Sequence, residues 1–218
     1  MKPLTGRLAS LLTVAAVLAP LSLAAQANGL PIVNNGVRTG LSVAADIGAP
    51  NDDAGGGTAY GGEARVGLGI IGLSGSVARH VPENDLLDSR TSFGGAVTAQ
   101  LFGGPLVPFR VLLQGGVATW EANTATATDV RHTRFPVSLG LAATIPIPVL
   151  AVKPWLAPRI EAQRASGNTE TDFGISGGIE LAFLSGLTIR TAYDRLFVER
   201  DGFSSRPSVW TVGLGWTL

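Results

Sequence analysis

The sequence contains no cysteine, and Lys153 is its single lysine after the first 27 residues. Without cysteine the chain lacks a disulfide framework, a thiolate metal site, a cysteine nucleophile and a lipid-modified cysteine anchor. Charged residues make up only 15% of the chain, which excludes a disordered polyelectrolyte. The formal net charge is zero and no basic stripe is present, so nucleic acid is excluded as a partner. We expect neither a metal nor an organic cofactor.

The residue that the sequence has in abundance is glycine, with 29 copies, together with 13 prolines. This composition is typical of strands and turns rather than of a helical bundle rich in alanine, glutamate and lysine. A length of 218 residues suits one domain and argues against two large ones. The composition therefore favours a single all-β domain.

The N-terminal residues have the features of an export signal. Basic residues precede a mostly apolar run from Leu8 to Leu23, and Ala25-Gln26-Ala27 matches a small-x-small cleavage site. Pro20 interrupts the apolar run, which argues against a membrane-anchoring helix. We therefore predict a signal peptide over residues 1–27 and one mature domain over residues 28–218.

Apolar residues recur at every second position along most of the mature chain, which is the period of a β-strand with two unlike faces. Between Phe173 and Phe183 the odd positions are apolar, whereas the even positions are small or charged. The segment from Trp210 to Leu218 repeats the pattern. The same template predicts ten strands, at about residues 37–48, 58–70, 73–81, 91–102, 109–120, 133–144, 153–165, 172–183, 187–197 and 207–218.

The connections between these strands alternate between polar loops and tighter turns. The polar loops cover residues 49–57, 82–90, 121–132, 166–170 and 198–206. An antiparallel meander places alternate connections at opposite rims, so the polar loops should share one rim and both termini should lie at the other. This layout, with strands of about ten residues, is that of a bacterial outer-membrane β-barrel.

We therefore predict a closed antiparallel up-and-down transmembrane β-barrel of ten strands. A barrel of eight strands is the alternative if one hairpin is misread. Pro136, Pro154 and Pro158 lie inside predicted strands, where each removes a backbone donor, and we expect them at bulges or strand ends.

Aromatic residues on the apolar faces form two predicted girdles at the membrane–water interfaces. The girdle at the loop rim consists of Phe93, Phe135, Phe173 and Trp210. The girdle at the opposite rim consists of Phe109, Phe183 and Trp216. Phe102 and Trp155 have the other parity and fit neither girdle.

A soluble up-and-down barrel, such as a lipocalin-like binder, would show the same alternation with its apolar face inside. A water-facing exterior needs many long charged side chains, above all lysine and glutamate. In this chain the polar faces are mostly Gly, Ala, Ser and Thr, and one mature lysine is present. The composition therefore favours the membrane barrel.

The chain resembles the small outer-membrane β-barrel proteins of bacteria, the superfamily of the OmpA-type transmembrane domain and the opacity-type surface proteins. The resemblance rests on the patterning of the mature chain and on its terminal strand, Gly213-Leu214-Gly215-Trp216-Thr217-Leu218. Members usually end on Phe, whereas this chain ends on Leu. The resemblance implies a location in the bacterial outer membrane and recognition of the last strand by the barrel insertion machinery.

With the apolar faces toward lipid, charged residues of the opposite parity point into the lumen. These residues are Arg38, Asp46, Glu63, Arg65, Arg110, Arg134, Arg159, Glu161, Glu180, Arg190 and Asp194. Because arginines and carboxylates are nearly balanced, we predict that ion pairs fill the narrow lumen. The alternative is a narrow passive channel for small solutes, in which unpaired charge lines an open path.

The two histidines, His80 and His132, lie near the loop rim, with Asp85, Asp88 and Asp129 close by in sequence. A histidine beside a carboxylate can act as a general base, as an outer-membrane hydrolase would require. No nucleophile motif accompanies them, and we predict that the protein is not an enzyme.

The polar loops interleave acidic residues with arginines such as Arg131 and Arg206. Guanidinium groups suit the phosphates of lipopolysaccharide, whereas the simpler interpretation is ordinary solvated loop charge. We therefore predict a structural or surface-interaction role in contact with outer-membrane lipid and lipopolysaccharide. The sequence does not indicate an extracellular ligand.

Overall fold

The chain forms a closed antiparallel β-barrel in a computed structural model that describes residues 30–37, 39–83, 88–104, 107–124, 127–200 and 202–218. Ten long strands build the wall: β1 Gly40–Pro50, β2 Thr58–Leu68, β3 Ile71–Val81, β4 Arg90–Gly104, β5 Val107–Thr124, β6 Ala127–Ala143, β8 Leu150–Ala165, β9 Asn168–Phe183, β10 Leu187–Arg200 and β12 Ser208–Thr217. Two three-residue strands, β7 (Ile145–Ile147) and β11 (Phe203–Ser205), pair with β8 and β10.

Each long strand pairs with the next along the chain, and the first pairs with the last. The β1–β12 register runs from Ser42 opposite Thr217 to Pro50 opposite Val209, which closes the sheet. The predicted ten-stranded barrel is confirmed, and the eight-stranded alternative is wrong. Alternation with period two is a local signal that survives in the tertiary structure because each face of the wall meets a different environment.

Helical structure in the described residues is limited to one 3₁₀ turn, Asp52–Ala54, whose N-terminus is capped by the side chain of Asn51. No helix in the described part of the chain is long and apolar enough to span a membrane.

Three of the predicted polar loops are mostly strand, and the loop at residues 198–206 consists largely of the end of β10 paired with β11. Strands β5 and β6 continue to Thr124 and from Ala127, so the predicted loop at residues 121–132 is the end of a long hairpin. The predicted loop at residues 166–170 is reduced to the turn Ser166-Gly167, with φ angles of 50° and 86°. Positive φ at both central residues makes the tight turn whose twist matches the flanking strands. Polar side chains do not interrupt a ladder that is held by backbone hydrogen bonds.

The apolar face of the sheet is the exterior of the barrel. Ile179, Val212 and Leu214 are exposed, whereas the intervening positions Glu180 and Thr211 are buried. A lipocalin-like carrier would have the reverse arrangement, so that alternative is wrong.

The residues of the two predicted girdles lie on the outer surface at opposite rims. At the loop rim Phe93, Phe135, Phe173 and Trp210 are exposed. At the other rim Phe109 and Trp216 are exposed, and Phe183 is half-buried.

The two aromatic residues of opposite parity have separate explanations. The β4–β5 register shifts at Phe102, which turns this residue outward, where its ring stacks on Phe109 with centroids 5.4 Å apart. A bulge of this kind reverses the parity of one residue without ending the strand. Trp155 keeps its inward parity and is buried inside the barrel with Leu112 and Val33.

The expectation of bulges or strand ends at the three prolines is wrong. The β8–β9 register passes through Pro154 and Pro158 without a shift, and the β6–β8 register passes through Pro136. Because proline has no backbone N–H, the strand instead loses pairing with its other neighbouring strand. The β5–β6 ladder lacks a pair at Pro136, and the β6–β8 ladder lacks one at Pro158, with the register kept beyond each gap. A strand with two neighbours can lose one ladder bond on one side and remain paired on the other.

Residues 30–37 precede β1 and lie inside the barrel, and we call them the lumenal segment. Val37 packs against Gly72 at the rim of the short turns, and Leu30 packs with Ala59 and Ala78 toward the loop rim. Strand β1 begins at the short-turn rim as predicted, but the chain before it runs through the lumen toward the loops. The predicted signal peptide and Arg38 lie outside the described residues.

Candidate functional site

The lumen is the candidate site because charged side chains from most of the wall converge there. One cluster centres on Arg159 of β8, which is 2% exposed. Its guanidinium donates to both carboxylate oxygens of Asp194, at 2.8 and 2.9 Å, and to Glu161 at 3.0 Å. The Ser176 hydroxyl donates to Asp194 at 2.8 Å, and the Arg134 guanidinium lies 3.5 Å from Glu161. A buried guanidinium with two carboxylates and further hydrogen bonds is the arrangement that offsets the desolvation of the charges.

A second cluster lies along the inner wall nearer the short-turn rim, on β10, β1 and β2. The Arg190 guanidinium donates to Asp46 through two nitrogens and to Glu63 at 3.2 Å. Two nitrogens of Arg65 bind the Glu63 carboxylate, each at 2.8 Å. Because these residues come from β1, β2 and β10, the pairs connect strands that are far apart in sequence.

Hydrogen bonds join the lumenal segment to this polar wall. The Asn34 side-chain amide donates to Ser138, and the Asn35 amide donates to Glu180, both at 3.0 Å. Arg65 donates to the Asn35 side-chain oxygen at 2.7 Å. The main chain takes part as well, since the Ile32 N–H donates to Asp194 and the Val33 carbonyl accepts from Gln114, both at 3.3 Å. The segment is therefore bound to both charged clusters.

Glycines of the wall make room for the long side chains. Gly174 lies opposite Arg159 across the β8–β9 ladder, and a Cβ atom there would be 2.6 Å from the Arg159 Cζ. A Cβ at Gly140 would be 2.7 Å from the Asn34 side chain. Glycine at these inward positions therefore sets where the arginine and the lumenal segment can lie.

We expect Gly174→Ala to lower the free energy of unfolding by about 1–3 kcal/mol, because the added methyl group displaces Arg159 from its two carboxylates. Urea titration of the folded protein in detergent micelles, followed by tryptophan fluorescence, measures the change. Gly115→Ala is the matched control, since nothing lies within 4 Å of its added Cβ. An equal loss of stability in both variants would contradict this role for Gly174.

The structure places the other predicted lumenal residues as follows. Glu180 is buried and accepts the Asn35 amide, and its carboxylate lies 3.7 Å from the Lys153 ammonium. Arg110 points inward next to Gly36 of the lumenal segment. Arg134, besides its contact with Glu161, lies over the Trp120 ring at 5.8 Å.

Sequence reasoning missed several polar residues of the lumen. They are Asn34, Asn35, Thr98, Gln114, Ser138, Lys153, Asp172 and Ser176. The parity of the strands marks most of them as inward, so a count of all polar residues rather than charged ones alone would have found them. The alternation along the strands could not identify Asn34 and Asn35, because these two residues belong to no strand.

Cavities border the lumenal segment at both of its ends. One of about 40 Å³ lies between Asn35 and the wall near Glu63 and Arg65, which is room for only a few water molecules. The other, of about 300 Å³, opens at the loop rim between Leu30, Trp120 and the inner wall.

The two histidines do not form an acid–base pair with a carboxylate in the described part of the chain. His80 is 1% exposed, and its Nε2 is 2.8 Å from the Gly56 carbonyl, to which it donates as the Nε2–H tautomer. The His132 ring stacks on Trp120 with centroids 5.3 Å apart. Among the described residues no group of three or more His, Asp or Glu side chains is placed to hold a metal ion. Asp85 and the side chain of Asp129 lie outside the described residues.

The arginines named from the predicted loops are bound by other groups at the loop rim. Arg206 donates to the Val198 and Ser205 carbonyls and to Glu199. Arg131 forms an exposed ion pair with Glu121 at 3.0 Å. Each has a protein partner at the loop rim.

No protein-family model and no curated protein matches this chain. Solved structures do resemble it. The β-domain of the Bordetella autotransporter BrkA is similar with a TM-score of 0.56 and 12% identity, over 83% of this chain and 100% of that one. The translocator domain of the autotransporter NalP from Neisseria meningitidis has a TM-score of 0.47 and 14% identity, over 98% and 95% of the two chains. The outer membrane protease OmpT from Escherichia coli has a TM-score of 0.41 and 9% identity, over 83% and 94%.

These identities are low, and the likeness to the BrkA domain concerns the fold alone. The narrower resemblance to OmpA-type and opacity-type proteins stays a prediction. The ten closed antiparallel strands and the BrkA likeness together show that this chain has the fold of the bacterial outer-membrane β-barrels.

Proposed function

We propose that this chain is a bacterial outer-membrane protein whose lumen is closed at rest and whose role is structural or lies in surface interactions. The exterior supports insertion in a membrane, because apolar side chains cover it and aromatic residues lie at both rims. The β5–β6 and β8–β9 hairpins carry exposed charge at the loop rim, where a surface role requires accessible groups.

The observation that carries the proposal is the occupancy of the lumen. Arg159 and Arg190 are each paired with two carboxylates, and the lumenal segment is hydrogen-bonded to both clusters. Selective pores line an open path with charge that passing ions can meet. Paired and buried charge supports a closed lumen instead, because each charged group is already bound to a partner of opposite charge within the protein.

Barrel width explains why ion pairs and a chain segment occur together. Side chains just fill the interior of a barrel of eight strands, and the interior widens with every added strand. This barrel has ten strands, and residues 30–37 occupy the additional width. Ion pairs from the wall then close the remaining gaps.

The proposal predicts that the full chain, expressed in a Gram-negative host, is found in the outer-membrane fraction as a band whose gel mobility changes on heating. The same purified protein should pass no steady current in a planar lipid bilayer, because paired side chains and the lumenal segment occupy the lumen. A heat-modifiable protein that conducts steadily would overturn closure and favour the narrow passive channel. A protein absent from the outer-membrane fraction would overturn the location.

We assign no catalytic role. His80 is engaged by a backbone carbonyl and His132 by an aromatic ring, so the described geometry offers no support for a hydrolase.

A further inference from the structure

The outer surface of the barrel carries arginines in a repeated position just beyond the aromatic residues of the loop rim. Three arginines share this position: Arg79 on β3, Arg164 on β8 and Arg195 on β10. Arg79 and Arg164 are exposed, and Arg195 is half-buried. All three have the outward parity of their strands.

The position is defined by the strand register. The residues that pair with Phe93, Phe135 and Trp210 are Val77, Ala162 and Tyr193, respectively. Each arginine follows its paired residue by two positions toward the loop rim, which is the next outward position on the strand. The three guanidinium groups therefore start from the outer edge of the apolar surface.

Carboxylate partners are missing for these three side chains within the described residues. The Arg79 guanidinium donates to the Ser89 hydroxyl at 2.7 Å. Arg195 lies over the Phe197 ring at 5.5 Å. The cationic groups are thus available to an external anion, unlike Arg131, which is paired with Glu121.

The opposite rim has no such arrangement in the described part of the chain. Outward residues near the second belt are exposed and apolar: Leu41, Leu68, Ile71, Leu101, Phe109 and Trp216. A protein that recognised any lipid phosphate would gain from arginines at both rims. Among the described residues, outward arginines occur at the loop rim and not at the other rim, and this pattern favours a phosphate that occurs in one leaflet.

An apolar groove lies on the outer surface directly below Arg195. Gly177 has no side chain and lies between Leu156 and Tyr193 on the neighbouring strands. The resulting groove has a volume of about 410 Å³ and is lined by apolar atoms, with Ile175 and Trp210 at its edges. A cation above an apolar groove fits an anionic headgroup whose acyl chain runs along the barrel wall.

We propose that Arg79, Arg164 and Arg195 bind the phosphates of lipid A in the leaflet on the loop side. This inference rests on the proposed outer-membrane location. A planar guanidinium matches the geometry of a phosphate, and a headgroup phosphate lies at the level where the apolar surface ends. Lipid A accounts for the one-sided pattern because it carries phosphate and, in an outer membrane, lies in the leaflet that the loops face.

The test compares the wild type with the triple variant Arg79→Gln, Arg164→Gln, Arg195→Gln in detergent micelles. Native mass spectrometry measures the binding of bisphosphorylated lipid A, dephosphorylated lipid A and phosphatidylglycerol. Each arginine is expected to contribute about fivefold in affinity, so the triple variant should bind bisphosphorylated lipid A about 100-fold more weakly. Arg131→Gln is the matched control and should bind as the wild type does.

Three results would overturn the inference. The triple variant binds bisphosphorylated lipid A as tightly as the wild type, or the wild type binds dephosphorylated lipid A equally well, or phosphatidylglycerol binds as tightly as lipid A. Heat-modifiable mobility in lipid vesicles is recorded for every variant. A wild type that does not insert refutes the proposed function itself, whereas one that inserts and ignores lipid A phosphate refutes only this inference.

Discussion

Deletion of residues 30–37 is expected to convert a silent barrel into one that shows discrete current steps in a planar bilayer. The lumenal segment fills the width that ten strands create beyond what wall side chains occupy. Leu30, Ile32 and Val33 are each about 95% buried in the lumen, so their removal leaves space that water and ions can enter. The ion pairs remain in the variant, and the current should therefore stay small and flicker as the arginine side chains move.

A second variant distinguishes the space that the lumenal segment occupies from the side-chain hydrogen bonds that hold it in place. Asn34→Ala with Asn35→Ala keeps the backbone in place and removes the side-chain contacts to Ser138, Glu180 and Arg65. We expect brief openings from this variant and longer ones from the deletion. Both proteins must keep heat-modifiable mobility, which shows that the barrel is folded. A folded deletion variant without current would show that the ion pairs alone close the lumen.

Substitution of Arg159 by Met is expected to produce the largest loss of stability, about 3–5 kcal/mol. The change leaves the buried carboxylate of Asp194 without its cation, and it leaves Glu161, which has no exposed surface, with Arg134 as its remaining cation. Uncompensated buried charge costs more than the pair itself contributes, because the desolvation of the remaining partner persists. The urea midpoint of unfolding in detergent micelles, with the slope m held common, measures the difference.

The double variant Arg159→Met, Asp194→Asn tests whether the loss of stability comes from the unpaired charge. Removing both partners should recover a large part of the loss, since the unpaired carboxylate is gone. Arg131→Met is the matched surface control. Its ion pair with Glu121 is 71% and 56% exposed, so its loss should change stability by less than about 1 kcal/mol. If Arg159→Met and Arg131→Met were equally mild, the lumenal pairs would not be the stabilising element proposed.

Most of the fold was predictable because its signals are local. In β12 the alternation from Trp210 to Trp216 places each side chain on its face of the wall, whatever the rest of the chain does. The scarcity of lysine indicated that the exterior of the barrel is apolar rather than exposed to water. The tight turn at Ser166 and Gly167 was predicted as a longer loop, because a polar stretch can belong to a paired hairpin as well as to a loop.

The two aromatic residues of unexpected parity show where local reasoning ends. Phe102 faces outward because the β4–β5 register shifts beside it, and a shift depends on the partner strand rather than on the residue. Trp155 faces inward as its position requires, and it is buried because the lumen of ten strands has room for it.

The periodic residues predicted a barrel of ten strands, and the composition of the two strand faces predicted the outward apolar face and the inward charge. Contacts between strands that are not direct neighbours in the wall were decided by the closed structure: Arg190 meets Asp46 at a separation of 144 residues, and Arg159 meets Asp194 at 35. The path of residues 30–37 through the lumen was likewise decided only by the closed structure. A strand period describes a residue relative to its own backbone, whereas these contacts depend on strand number and register, which exist only once the sheet has closed.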